Sequence, residues 1–216
     1  MNILLLLISL IILIFSSILH EIAHGLVAYR LGDPTAKLLG RITLNPLKHL
    51  DPYMSVLMPL IFFFGSGGQF IFGGAKPVPV DPFNLHDGKK DLALVSLAGP
   101  LTNVLLAIVG SLLIHLFFPG QGFTEDLYGN FFGTILAEIV QLNLLLAFFN
   151  LIPIPPLDGS KVFAMLLPDR EAATYMGMGN VGMLILIVLL FFPIGGFSLM
   201  GLVYHLINLG LSLLGF

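Results

Sequence analysis

The sequence predicts an all-α polytopic membrane protein, and two observations carry that prediction. The chain is 57% hydrophobic and only 10% charged, with a mean hydropathy of +1.01, whereas an ordinary soluble domain carries about 25% charged residues. Long apolar stretches recur along it, several near the roughly 20 residues that a helix needs to cross a hydrocarbon core of about 30 Å. A charged surface able to cover a soluble fold is missing.

Five stretches read as spans, at residues 2–29, 92–118, 132–152, 180–193 and 197–215. The first has no Lys or Arg ahead of its apolar run and extends past 25 residues, so it is read as a span and not as a cleaved signal peptide. A sixth stretch, 53–74, is long enough but is interrupted by Pro59, Gly65, Gly67 and Gly68. Loop charge favours a re-entrant course for it. If it only dips, residues 30–91 form one region holding Arg30, Lys37, Arg41, Lys48, Lys76, Lys89 and Lys90, and the loop with Lys161 and Arg170 falls on the same side. All nine basic residues are then cytoplasmic, as the positive-inside rule expects. A single crossing would move Lys76, Lys89 and Lys90 to the other face. The whole chain, 1–216, reads as one domain, with core helices at about 2–29, 92–118 and 132–158 and a C-terminal helical hairpin at 180–215.

Composition also narrows function. No cysteine is present, so any metal must be held by His, Asp or Glu. Net charge is only −3, with no basic run or nucleic-acid-binding signature, and no phosphate-binding glycine loop occurs. Nucleic acid is not expected as a partner.

Against that background "SSILHEIAHGLVAYRLGD", residues 16–33, is unusual. Ionisable residues within a membrane segment cost about 2.5 to 3.5 kcal/mol each on insertion scales and mark function by default. His20 and His24, four apart, project from one helical face about 40° from each other, so both imidazoles can reach one ion. Glu21 lies beside that face and can address a water at the metal without ligating it. This is the H-E-x-x-H arrangement of zinc hydrolases. The bland alternative is two histidines satisfied by neighbouring helices, with Glu21 reaching for the interface.

Catalytic zinc takes three protein ligands and an open position. The best third candidate is Asp158 in "FFNLIPIPPLDGSKVF". Pro153, Pro155 and Pro156 break the helix before it and Gly159 permits close approach, so its carboxylate belongs to a sheltered cavity lined by irregular backbone. An ordinary interfacial aspartate at a helix end is the alternative.

These words together resemble the site-2 protease family, the intramembrane zinc metalloproteases that include bacterial sporulation-factor processing enzymes. The resemblance runs through "HEIAHG" (20–25), "GRITLNPLKHLDP" (40–52), "GGAKPVPVDPFNL" (73–85), "SLAGPLTN" (96–103) and "NLIPIPPLDG" (150–159). It is strongest to the compact bacterial and archaeal branch without PDZ or CBS domain. The resemblance implies one Zn2+ per chain, ligated by His20, His24 and Asp158, with Glu21 as general base. It implies that Asn150 holds substrate backbone or the developing oxyanion, and Asn103 on the neighbouring helix is placed for similar work; interhelical hydrogen bonding is the alternative for both. It further implies a transmembrane protein substrate, drawn out beside short β-like segments at 41–45 and 76–80. The expected setting is a prokaryotic cell membrane with the active site toward the cytoplasm.

Four histidines remain. His49 and His86 are expected to be solvated or turn-capping, and His115 and His205 to bond near helix ends. None has the spacing of a second metal site. A membrane metal-binding or transport protein without protease activity is the rival reading, although no internal repeat supports a transport path. Oligomeric state is not legible.

Overall fold

The computed structural model describes residues 3–65, 75–123, 125–193, 195–196 and 198–216. Ten α-helices lie in them: α1 (Ile3–Arg30), α2 (Thr35–Leu38), α3 (Met58–Gly65), α4 (Gly88–Phe117), α5 (Glu125–Gly129), α6 (Phe131–Asn150), α7 (Asp158–Met165), α8 (Asp169–Met176), α9 (Gly179–Phe191) and α10 (Leu199–Leu213). Three of them, α1, α4 and α6, are long and apolar enough to cross a membrane. The expected fourth and fifth spans form α9 and α10, of 13 and 15 residues. At 1.5 Å per residue each is only about 20 Å long. α8 and α9 together make a fourth span only as a bent pair, with 62° between them.

The ends of the long helices follow local chemistry. α1 ends at Arg30, just before Gly32, whose φ of +109° no other residue adopts readily, with Pro34 behind it. α6 starts where the Asn130 side chain accepts from the N–H groups of Phe132 and Gly133, a standard cap. It stops at Asn150, short of the 158 expected for this core helix, because Pro153, Pro155 and Pro156 follow. Asp158 instead opens the separate helix α7.

α4 is the central element, packed against α1, α6 and α7. Small residues allow the approach: a Cβ at Gly110 would stand 2.9 Å from Val140, the close packing that membrane helices use in place of a hydrophobic drive. Ala107, Ile114, Leu136, Val140 and Leu144 form the core with Leu186 of α9 and Val203 and Ile207 of α10.

Two expectations change at the loops. No strand forms among the described residues, so the segments at 41–45 and 76–80, expected to be β-like edges for an added substrate strand, are irregular backbone here. Pro77 and Pro79 have no N–H with which to build a ladder. The donor between them, Val78 N–H, goes to Glu21 instead, and Lys76 N–H bonds the His49 carbonyl (2.7 Å). His49 is not solvated but fully buried, its Nε2 2.8 Å from the Thr43 carbonyl. Of the stretch 53–74, the first part is helical through Gly65; residues 66–74 lie outside the described residues, and with them the choice between crossing and dipping.

Buried Asp33 ties the end of α1 to the segment that follows residue 80. Its carboxylate accepts from the Thr35 hydroxyl, the Thr35 and Asp81 backbone N–H groups and the Asn84 amide. Burial pushes its pKa up, but these donors, Thr35 first, outweigh burial and hold it below the usual carboxylate value. A group depressed in this way stabilises the fold above its unfolded value of about 3.9 and loses that contribution as pH falls below it. Asp33→Ala is therefore expected to lower the melting temperature at pH 7 and to differ less from wild type at pH 3, as thermal unfolding at the two pH values will show.

Candidate metal centre

One face of α1 carries Leu13, Ser16, Ser17, His20 and His24 into the protein, at spacings of three and four residues. α7 brings Asp158 to the same point. His20 Nε2 and His24 Nε2 lie 3.0 Å apart, and each is 3.1 Å from Asp158 Oδ2. All three residues are buried. Tetrahedral zinc with bonds of about 2.0–2.2 Å has ligand atoms about 3.3–3.5 Å apart, so a small expansion of this triangle accommodates the ion.

The protons are arranged for the same purpose. His24 Nδ1 donates to the Val95 carbonyl (2.7 Å), an acceptor only, and His20 Nδ1 bonds Asn103 Oδ1 (2.5 Å). With both Nδ1 atoms occupied, each neutral ring turns an Nε2 lone pair inward. Two nitrogen lone pairs and a carboxylate oxygen then converge with no donor among them, a set that a cation satisfies. The other carboxylate oxygen, Asp158 Oδ1, accepts from Lys161 Nζ at 3.0 Å.

Space at this point comes from Gly99. A Cβ there would collide with the Nε2 atoms of both histidines. Pro100, fully buried beside it, deprives α4 of an internal donor at the same level. Gly99→Ala is expected to weaken zinc binding by about ten- to a hundredfold, the scale of damage to a ligand's support. Metal titration of the purified variant measures it.

A cavity of about 460 Å3 opens beside the triad, within the usual range for ligand sites. Glu21, Asn150 and Lys161 line it with the three candidate ligands, and Leu145, Phe149, Met176 and Met183 supply apolar wall. Glu21 Oε2 accepts from Val78 N–H at 2.6 Å, which aims the carboxylate from the side of the 76–80 segment. Asn150 donates its Nδ2 to the Leu146 carbonyl (2.9 Å) and stays on the cavity wall.

His20, His24, Asp158, Glu21 and Asn150 thus meet at one cavity. Asn103 is placed differently: fully buried behind His20, it has both ends of its amide engaged, by His20 and by Asn143 (2.8 Å). Gly99, Lys161, Asn143 and the Val78 N–H were not singled out from sequence. His115 is exposed and bonds its own helix through Ser111, and His86 and His205 are exposed as well. Among the described residues His20, His24 and Asp158 are the one cluster able to hold a metal ion.

The sequence profile of peptidase family M50 matches residues 8–137 and 125–193. The chain is 37% identical over 187 residues to YwhC of Bacillus subtilis, named as a candidate zinc metalloprotease, covering 87% of this chain and 81% of that protein. It is 32% identical over 184 residues to Rip2 of Mycolicibacterium smegmatis, likewise named, covering 83% of this chain and 65% of Rip2. A protein of Methanocaldococcus jannaschii with the same kind of name, MJ0611, is 34% identical over 162 residues, 74% of this chain and 71% of that protein. No solved structure matches the chain.

Proposed function

This chain belongs to peptidase family M50, and we propose that it is an intramembrane zinc metalloprotease that hydrolyses a peptide bond of a membrane-spanning protein near the cytoplasmic side. The chain is a multi-pass membrane protein. The observation that carries the proposal is the convergence of His20 Nε2, His24 Nε2 and Asp158 Oδ2 within reach of the cavity that Glu21 lines. These three residues would hold one zinc per chain. Zinc bound there supplies Lewis acidity, polarising the scissile carbonyl and activating water near neutral pH.

The chain's own residues do the rest. Glu21 takes a proton from the attacking water as the carbon–oxygen bond forms, and returns it to the leaving amine as the carbon–nitrogen bond breaks. The Val78 N–H holds the Glu21 carboxylate in place for both transfers. Asn150 meets the substrate backbone or its developing oxyanion from the cavity wall. Asn103, behind His20, orients a ligand and does not touch substrate. A helical substrate hides its carbonyls, so the segment to be cut unwinds beside residues 76–80. The apolar wall of Leu145, Phe149, Met176 and Met183 receives side chains that arrive from lipid.

The orientation follows from loop charge: with residues 30–91 cytoplasmic, the end of α1 that bears His20 and His24 lies toward the cytoplasm. Purified protein in sealed liposomes, given a single-span substrate of known orientation, tests the proposal. Product masses are expected to place the cut in the cytoplasmic half of the span. Zinc-loaded protein that leaves such substrates intact would return the chain to metal binding or transport.

A further inference from the structure

The two imidazoles of the centre are held in different ways. His24 gives its Nδ1 proton to the Val95 backbone carbonyl, which no side-chain substitution removes. His20 meets the amide of Asn103, and an amide can present either its oxygen or its NH2. What sets that choice lies one and two residues further back.

Asn103 Nδ2 donates to Asn143 Oδ1 at 2.8 Å. Asn143 Nδ2 donates in turn to the Ile139 carbonyl at 2.8 Å and to Ser16 Oγ at 2.9 Å. A backbone carbonyl only accepts, so Ile139 fixes the direction of the whole chain. It draws the NH2 of Asn143 toward itself and turns the oxygen of Asn143 to Asn103. That turns the oxygen of Asn103 to His20 and sets the His20 proton on Nδ1, leaving the Nε2 lone pair facing Asp158. Asn103 and Asn143 are fully buried and Ser16 nearly so, so water does not compete for these bonds. The relay joins α1, α4 and α6 directly behind the ligands.

We propose that Asn143 is a positioning residue of the metal centre, which through Asn103 holds His20 in the tautomer and orientation that bind zinc. The inference rests on His20 being a zinc ligand. Direct hydrogen-bond partners of metal-bound histidines govern affinity by about 10- to 100-fold, and Asn143 acts through such a partner. Simple interhelical adhesion, which polar residues also provide in membranes, would change stability and leave zinc affinity alone.

The test uses the full chain in detergent and measures zinc affinity by competition with a chromogenic chelator, beside the thermal stability of the metal-free protein. Asn143→Leu is expected to bind zinc about 10- to 100-fold more weakly. Adding Asn103→Asp to it should restore most of that loss, because a carboxylate has no donor end to misdirect and accepts the His20 proton unaided. Ser16→Ala leaves Ile139 in place and is expected to keep affinity near wild type. Should Asn143→Leu fail to fold, Asn143→Ala carries the same expectation. Folded Asn143→Leu binding zinc as wild type does would overturn the relay, and so would a loss that Asn103→Asp does not restore. Wild-type protein that binds no zinc would instead overturn the metal centre itself.

Discussion

Glu21→Gln is expected to reduce cleavage of a single-span substrate by at least the 10²- to 10⁴-fold, roughly, that a general base contributes, while the protein keeps its zinc. The two properties separate because Glu21 is not one of the converging donors; it faces the cavity one residue along from His20. Glutamine is nearly isosteric, and its amide oxygen can still accept from Val78 N–H, 2.6 Å from the native carboxylate. The 76–80 segment therefore keeps its anchor. What glutamine cannot do is take a proton from water and hand it to the departing amine. Single-turnover cleavage and metal analysis on one preparation measure both effects.

Asp158→Ala is expected to act in the opposite order, losing the metal first and activity as a result. It removes Oδ2, which both imidazoles face at 3.1 Å, and leaves Lys161 without the carboxylate oxygen that it meets at 3.0 Å. An ammonium group beside two imidazoles then disfavours any cation. The fall in zinc affinity should exceed the roughly 100-fold upper range for outer partners, because a ligand itself is lost. Competition with a chelator, wild type against variant, gives the ratio. Retained zinc in Asp158→Ala would remove this residue from the ligand set.

The residues that carry these predictions were legible in the sequence for a local reason. His20 and His24 are one turn apart on a single helix, a relation that spacing alone expresses. Asp158 was legible because the prolines before it and the glycine after it announce a broken helix at membrane depth. The three long spans were legible from apolar length. Other features depend on where helices cross, which spacing does not reveal. Gly99 matters only because α1 places two imidazoles where its Cβ would be. Val78 contributes a backbone N–H, which has no signature in residue type, although its two proline neighbours leave it as the single donor of 77–79. Asn103 was noticed, but its part behind His20 follows from the way α4 faces α1. Asn143 did leave a trace: a buried amide within an apolar span is costly unless it is bonded, and "QLNLLLAFFN" displays it seven residues before Asn150. The early end of α6 and the burial of His49 reflect prolines and loop packing that apolar length does not register.

The central claim is that zinc held by His20, His24 and Asp158 enables peptide cleavage within the membrane. Its most direct measurement follows cleavage of a single-span substrate by wild-type protein stripped of metal with a chelator and then given zinc in known ratio. The stripped protein is expected to cleave nothing, and recovery is expected to saturate at one zinc per chain. Equal cleavage with and without metal, or no cleavage at full zinc occupancy, would contradict the claim.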